Sequence, residues 1–431
     1  MSQRIAALFA FLLLLAPAAQ AELRIEITQG VSEAVPIAVV PFGYTGEGRA
    51  ALDLAAVIDS DLASSGRFAP MDRRDMVARP TRPDEVRLDD WRLLKTDILV
   101  IGQVSPLDGD RYAVEFQVFD VFRGEPLMAF SLTAAASNLR GAAHRIADMI
   151  FERLTGVPGV FSTRIAYITV DKAGDRNRYR LWLADADGAR QTAIAESPQP
   201  IMSPAWAPDG RRIAYVSFES GVSRIFVQEV ATGRREVVSG QPGINSAPAW
   251  SPDGRKLALV LGGVDGNLDI HVLSLDSGRL QQVTRHPAID TEPDWAPDGR
   301  SLYFTSDRAG RPQVYRVGLD GEAPRRVTFE GVYNARPRIS PDGSQLAVVH
   351  NDRGNFRIAL FDLARGALRV LSEGRQDESP SFAPNGSMVI YATREGNRGV
   401  LAATSTDGRV KQRIATTEGE VREPVWSPYP R

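Results

Sequence analysis

Carboxylates are the residues with the clearest chemical potential in this chain. Asp290 and Glu292, Asp377 and Glu378, and Glu420 and Glu423 sit in three short loops, IDTE, QDES and GEVRE, and the related loops GINS and VYNA carry Asn245 and Asn334. Carboxylates grouped this way suit docking of a partner's basic groups or exposed amides, where charge chiefly sets on-rate and specificity. The bland alternative is a solvated rim, since isolated surface charges contribute little energy. No Ser, His and acid constellation recommends an activated nucleophile beside them. There is no cysteine, no GxSxG and no HExxH, and the four histidines (His144, His271, His286, His350) contain no i, i+4 pair. The lack of cysteine also removes disulfides and thiolate metal sites.

Two other motifs fall to local inspection. Residues 46–51 read GxGxxA with Asp72 further on, the outline of a dinucleotide fingerprint. The glycines lie several residues beyond the preceding strand, and Pro70 stands where the second parallel strand should run, so a flexible loop before a helix is the better expectation. Asp265, Asn267 and Asp269 imitate the start of a calcium loop, but Ile270 occupies the required glycine position and no closing glutamate follows.

The elements that must position the acidic loops are written as a repeat. SPAWAPDGRRIAYVS, APAWSPDGRKLALVL, EPDWAPDGRSLYFTS, RPRISPDGSQLAVVH, SPSFAPNGSMVIYAT and EPVWSPYP align, and their turn prolines (Pro208, Pro252, Pro297, Pro341, Pro384, Pro428) are 44, 45, 44, 43 and 44 residues apart. That is the period of one propeller blade. Proline presets φ at turn position i+1, Asp or Asn tolerates i+2, and glycine closes at i+3, so each copy is a hairpin, and two more strands complete a four-stranded blade. RIAYITV from Arg164 matches RIAYVS from Arg212 but lacks the strand before it, while EPVWSP from Glu423 is that strand with nothing after it. A sixth blade shared between the two ends closes the ring and hides the strand edges. The recurring Trp206, Trp250, Trp295, Phe382 and Trp426, with Ile339 in the fourth copy, are core packing between blades. The loops preceding the innermost strands then gather at one mouth of the central channel, which Asp290, Glu292, Asp377, Glu378, Glu420 and Glu423 would make acidic.

Residues 34–155 share none of this pattern. PIAVVPF reads as a strand, Leu54, Ile58 and Leu62 line a helix, residues 84–95 read as a second helical stretch, and two strands pair around Arg123-Gly124-Glu125. Ser137 is the expected cap of a last helix with Leu139, Ala143, Ile146, Ile150 and Leu154 in one stripe, ended by Gly156. Ahead of them, residues 22–33 (ELRIEITQGVSE) alternate like an extended strand. They fit equally a sheet edge of their own domain or a peptide that joins a partner.

Residues 1–21 carry Arg4, an apolar run and Ala19-Gln20-Ala21, the pattern of a cleaved secretory signal peptide too short to span a bilayer. Its removal takes the formal charge from -2 to -3 by loss of Arg4, and no later run is apolar enough to cross a membrane. A chain with no basic excess has no electrostatic basis for bulk nucleic-acid binding. The sequence thus predicts two domains, an N-terminal α/β domain (34–155) and an all-β six-bladed β-propeller (163–431), joined by a linker at 156–162.

VPIAVVPF, FSTRIAYITV, the PDG repeats, TEPDWAPDGRSLYFTSDRAGRPQVYRV and EGEVREPVWSPY, in this order, resemble the TolB family of the Tol-Pal system. The resemblance implies a non-enzymatic periplasmic adaptor between the lipoprotein Pal and TolA, supporting outer-membrane integrity and cell division, peripheral to the envelope and monomeric, without metal or cofactor. In the family Pal docks at the propeller mouth, and the segment matching Ala247 and Asp290, Thr291 and Glu292 belongs to that face. The expected Pal contacts are therefore Asn245, Ala247, Asp290, Thr291, Glu292, Asn334, Asp377, Glu378, Glu420 and Glu423. The loop at Ile244 departs from the family's more polar wording, which argues against a contact there. The family's TolA-binding segment maps to residues 22–33, with Glu22, Leu23, Arg24, Ile25, Glu26, Ile27 and Thr28 as the expected contacts, and favours a detachable peptide. The competing reading is a propeller-based periplasmic hydrolase or lyase, which would need polar residues converging inside the channel, where the sequence suggests them only at the rim.

Overall fold

The computed structural model describes residues 34–174, 176–263, 266–416 and 419–430. The signal segment 1–21 and the TolA segment 22–33 lie outside the described residues. The first domain comprises β1 (Val35–Val39), β2 (Gly43–Tyr44), α1 (Leu54–Ser64), β3 (Phe68–Pro70), α2 (Leu88–Leu93), β4 (Ile98–Leu107), β5 (Arg111–Asp120), β6 (Glu125–Ala135) and α3 (Leu139–Thr155). Its sheet runs β3-β1-β4-β5-β6, with β2 paired to β4. Buried side chains of α1 and α3 pack on one face, including Leu54, Ile58, Leu62, Ala143, Ile146 and Ile150, while Trp91 of α2 packs with Ala38, Leu99 and Ile101 on the other.

Three local expectations change. Pro70 does belong to a parallel strand, opposite Ile37 in the β1–β3 pair. It is tolerated because β3 is an edge strand, where a missing N–H costs no ladder bond. The stretch 84–95 divides into a 3-10 turn at Pro83–Glu85 and α2, because Val86 between them is extended. Ser137 lies in a 3-10 turn and Asn138 takes the N-cap position of α3, while Gly156 ends that helix at φ 73° as expected. The GxGxxA loop leads to α1, whose start is already occupied. Asp53 accepts from Ala56 N at 3.0 Å and pairs with Arg73, so an acidic cap stands where a phosphate would have to bind.

Among the described residues of the second domain there are six four-stranded sheets. Five are consecutive, with innermost strands Ile201–Trp206, Asn245–Trp250, Asp290–Trp295, Asn334–Ile339 and Glu378–Phe382. The sixth joins the C-terminal strand Glu420–Trp426 to β7 (Arg164–Ala173), β8 (Arg176–Asp185) and β9 (Thr192–Ser197), so the ring closes as the repeat predicts. In the PDG turns, Gly210 N donates to Ala207 O at 3.0 Å and Asp209 accepts from Arg211 N at 2.8 Å. Gly254 sits at φ 70°, yet a Cβ there would meet Pro208 only at ordinary contact distance, 3.7 Å, so it is the left-handed backbone that asks for glycine. Two of the repeated tryptophans tie neighbouring blades, Trp250 Nε1 donating to Ala205 O at 3.1 Å and Trp295 Nε1 to Ala249 O at 3.0 Å, while Trp426 Nε1 donates within the closing blade to Thr163 Oγ1 at 2.7 Å.

Candidate functional site at the propeller mouth

Each innermost strand breaks register just before its last repeat position, aromatic in five blades and Ile339 in the fourth. Met202 faces Val216 and Ala205 faces Ala214, leaving Ser203 and Pro204 in a bulge, and the other five blades do the same. At the bulge Ser203, Ala247, Glu292, Arg336, Ser379 and Glu423 all adopt positive φ, from 46° to 56°. A side chain in the left-handed region costs about 1–2 kcal/mol. The blades hold it six times because the bulge turns these residues, and in five blades the proline that follows, onto the channel, which they line.

The bulge separates residues that look equivalent in sequence. Two positions earlier, Asn245, Asp290 and Asn334 are 0% exposed and Asp377 is 1% exposed, so the first three do not face the mouth and Asp377 only borders its recess as a sealed group. They fasten the loops instead. Asn245 accepts from Ser239 Oγ at 2.7 Å and donates to Gln241 O at 2.7 Å. Asp290 takes Arg308 at 2.7 Å. Asn334 donates to Glu330 O at 2.8 Å and meets His350 Nδ1 at 2.9 Å. Asp377 accepts from Ser372 Oγ, Thr393 Oγ1 and Gly374 N. A carboxylate so enclosed must find such partners or lose its charge.

The mouth is therefore less acidic than the loops suggest. Glu292, Glu378, Glu420 and Glu423 face Arg336, Arg394 and Arg422 around a recess of about 560 Å³ that Tyr333 and Phe356 also line. Arg394 and Arg422 each pair with Glu420 at 2.9 Å. Burial pushes the Glu420 carboxyl up, but the two arginines overcome it and leave it below its ordinary value. Glu378 stays exposed at the edge of the recess; partial desolvation there raises its carboxyl, with Arg336 pulling the other way. Inside the channel Arg336 binds Glu292, reaches Glu423 at 3.4 Å and donates to Ser379 Oγ. Burial works against its charge, yet Glu292 and Glu423 outweigh it and hold the guanidinium above its usual pKa. Polar groups thus do converge in the channel, contrary to expectation, but as a carboxylate–guanidinium cluster in which the Ser379 hydroxyl is bonded to Arg336.

Sequence inspection misses the arginines. Arg336 shows itself only as the one cation at a repeat position holding Ser, Ala, Glu, Ser and Glu in the other blades. Arg394 enters from a neighbouring strand. Around the carboxylates, the loops before blades two, three and four expose Ile244 (47%), Ile289 (48%) and Val332 (51%), so Ile244 belongs to an apolar arc.

A second polar cluster, also missed, joins the domains. His144 of α3 is 1% exposed; its Nδ1 meets Asp61 of α1 at 2.7 Å and its Nε2 faces Asp185 and Asp187 of the propeller at 3.5 and 3.8 Å. Arg140 pairs with Asp187, and Arg190 with Asp185 at 2.7 Å. Three carboxylates against two guanidinium groups balance when His144 is an imidazolium. Burial opposes that charge, but Asp185 and Asp61 prevail and lift His144 to about 10. The ligand atoms of Asp61, His144 and Asp187 lie within 4.8 Å of one another, a spacing compatible with a metal, but the arginines already engage the propeller carboxylates. The linker is held by Asp148, which accepts from Phe161 N at 2.7 Å and Ser162 N at 3.1 Å, and by Asn385 Nδ2 on Pro158 O at 2.9 Å.

These features define the class: a two-domain propeller protein whose charged channel mouth lies on the face away from the α/β domain, with no helix among the described residues long and apolar enough to cross a membrane. Residues 23–127 match the TolB amino-terminal domain and residues 151–430 the TolB beta propeller domain. The Tol-Pal system protein TolB of Xanthomonas euvesicatoria pv. vesicatoria is 49% identical over 429 residues, 99% of this chain and 98% of that protein, and the one from Xanthomonas campestris pv. campestris matches to the same extent. The crystal structure of TolB from Acinetobacter baumannii superposes with a TM-score of 0.87 at 39% identity, covering 94% of this chain and 100% of that one. The chain belongs to the TolB family, and it is a component of the Tol-Pal system, not an enzyme.

Proposed function

We propose that the protein is a periplasmic adaptor that binds Pal at the propeller mouth and TolA through residues 22–28, in support of outer-membrane integrity and division. The observation that carries the reading is the composite mouth: Ala247, Thr291 and Glu292 lie beside a channel in which Glu292 and Glu423 are held by Arg336, with Glu378 and Glu420 on one side and the apolar arc Ile244, Ile289 and Val332 on the other. A protein interface wants such a mixture, an apolar centre for burial and charges that set register. Asn245, Asp290, Asn334 and Asp377 serve this face indirectly, by holding its loops.

The test is calorimetric titration of residues 22–431 with the soluble domain of Pal. Binding should weaken in Thr291→Ala with Glu292→Ala while circular dichroism stays unchanged; a folded wild type that does not bind removes the central partner. Deleting residues 22–33 should abolish TolA binding, and an unchanged TolA affinity would sink that half of the assignment.

A further inference from the structure

We propose that Arg336 is the positioning residue of this mouth: its guanidinium sets where Glu292 and Glu423 stand before any partner arrives. The proposal rests on the docking reading above and adds to it which residue organises the docking carboxylates.

Arg336 occupies the left-handed bulge position of the fourth blade. From there one side chain reaches three other blades. Nε donates to Glu292 Oε1 in the third, Nη1 to Ser379 Oγ in the fifth and Nη2 to Glu423 Oε1 in the sixth at 3.4 Å. Only a planar fork of five N–H groups spreads over three acceptors in this way; a lysine ammonium is a point charge on a flexible stem. The backbone contributes as well. Arg336 N donates to Glu292 Oε2 at 3.1 Å, Thr305 Oγ1 donates to the same oxygen at 3.2 Å, and Glu423 Oε2 accepts from Ser203 N in the first blade. A chain of contacts therefore runs through blades three, four, five, six and one. It skips only the second, where Ala247 stands at the equivalent position.

The arginine and the glutamates depend on one another, and Arg336 is the counter-charge that the two glutamates share. Their side chains are each 19% exposed, so without a counter-charge they would be like charges held in poor solvent, and they would rotate out to water. Arg336 is 24% exposed, with three of its donors committed. A docking partner thus meets carboxylates whose places are already set, which lowers the ordering cost of binding.

The experiment is a double-mutant cycle of Arg336→Gln and Glu292→Gln, read as affinity for the soluble domain of Pal. A residue acting through Glu292 gives non-additive losses: each single change weakens binding by about tenfold, and the double variant is no weaker than either single one. Losses that multiply would mean that Arg336 touches the partner on its own account, and R336Q with wild-type affinity would mean it positions nothing; either overturns the proposal. A merely structural role would lower thermal stability and leave the coupling at zero. Should R336Q not fold, R336K takes its place in the same cycle, with partial recovery of affinity expected. If wild-type protein fails to bind Pal, the docking reading falls alone. Arg336 is then judged by carbon-13 NMR of the glutamate carboxyls, where unchanged Glu292 and Glu423 resonances in R336Q overturn it and displaced ones support it.

Discussion

His144→Gln should weaken the protein in a way that depends on pH, and the size follows from the interdomain cluster. The groups facing His144 are Asp61 from α1 and Asp185 and Asp187 from the propeller, with Arg140 and Arg190 holding the last two. A histidine near 6.5 when unfolded and at about 10 when folded binds its proton more tightly in the native state. Its contribution is then complete below pH 6.5, declines by about 1.4 kcal/mol per pH unit above that, and is gone beyond about pH 10. The ceiling of that span is about 4–5 kcal/mol. Asp61 reduces what the variant loses, because burial already lifts its carboxyl to about 6, and without the imidazolium it takes up a proton and sheds its charge. A net loss of about 2–3 kcal/mol at pH 6 remains, or about 5–10 °C in Tm. Scanning calorimetry of both proteins at pH 6, 8 and 10.5 tests this, since groups outside the cluster titrate alike in both and cancel in the difference. The gap should be widest at pH 6 and nearly close at pH 10.5. An equal gap at both ends would refute the charged-histidine reasoning and leave only lost packing.

Two further outcomes follow from the blades. Ala247→Gly should raise stability by about 0.5–1 kcal/mol, because φ is 46° there and glycine adopts the left-handed region without a Cβ penalty; a loss exceeding 1 kcal/mol in urea denaturation would show that the bulge is not strained. Asp290→Asn should cost about 2 kcal/mol by leaving Arg308 with a neutral partner in a buried setting, read as an earlier urea midpoint, and a wild-type midpoint would return Asp290 to the solvated rim.

The sequence alone determined the propeller, its blade number and its closure. Those depend on local chemistry repeated at a fixed period: proline and glycine at set turn positions, alternating strands, and a last blade split into three strands at one end and one at the other. It also determined the helix stripes of the first domain, because apolar spacing along a helix needs no knowledge of neighbours. Residues 84–95 and Ser137 were less legible, since one extended residue or one 3-10 turn shifts a helix start at little energetic cost. The tertiary structure decided which acidic residues serve which purpose. Asp290 and Glu292 are two positions apart, yet the bulge that begins at Glu292 leaves one in a sealed pocket with Arg308 and turns the other onto the channel with Arg336. No linear pattern reveals that outcome, because arginine side chains choose their partners across blades, between residues 87 positions apart in the case of Arg336 and Glu423. His144 gives the same lesson across domains. Its partners Asp61 and Asp185 come from separate folding units, and only their packing makes a buried imidazolium cheaper than a buried imidazole.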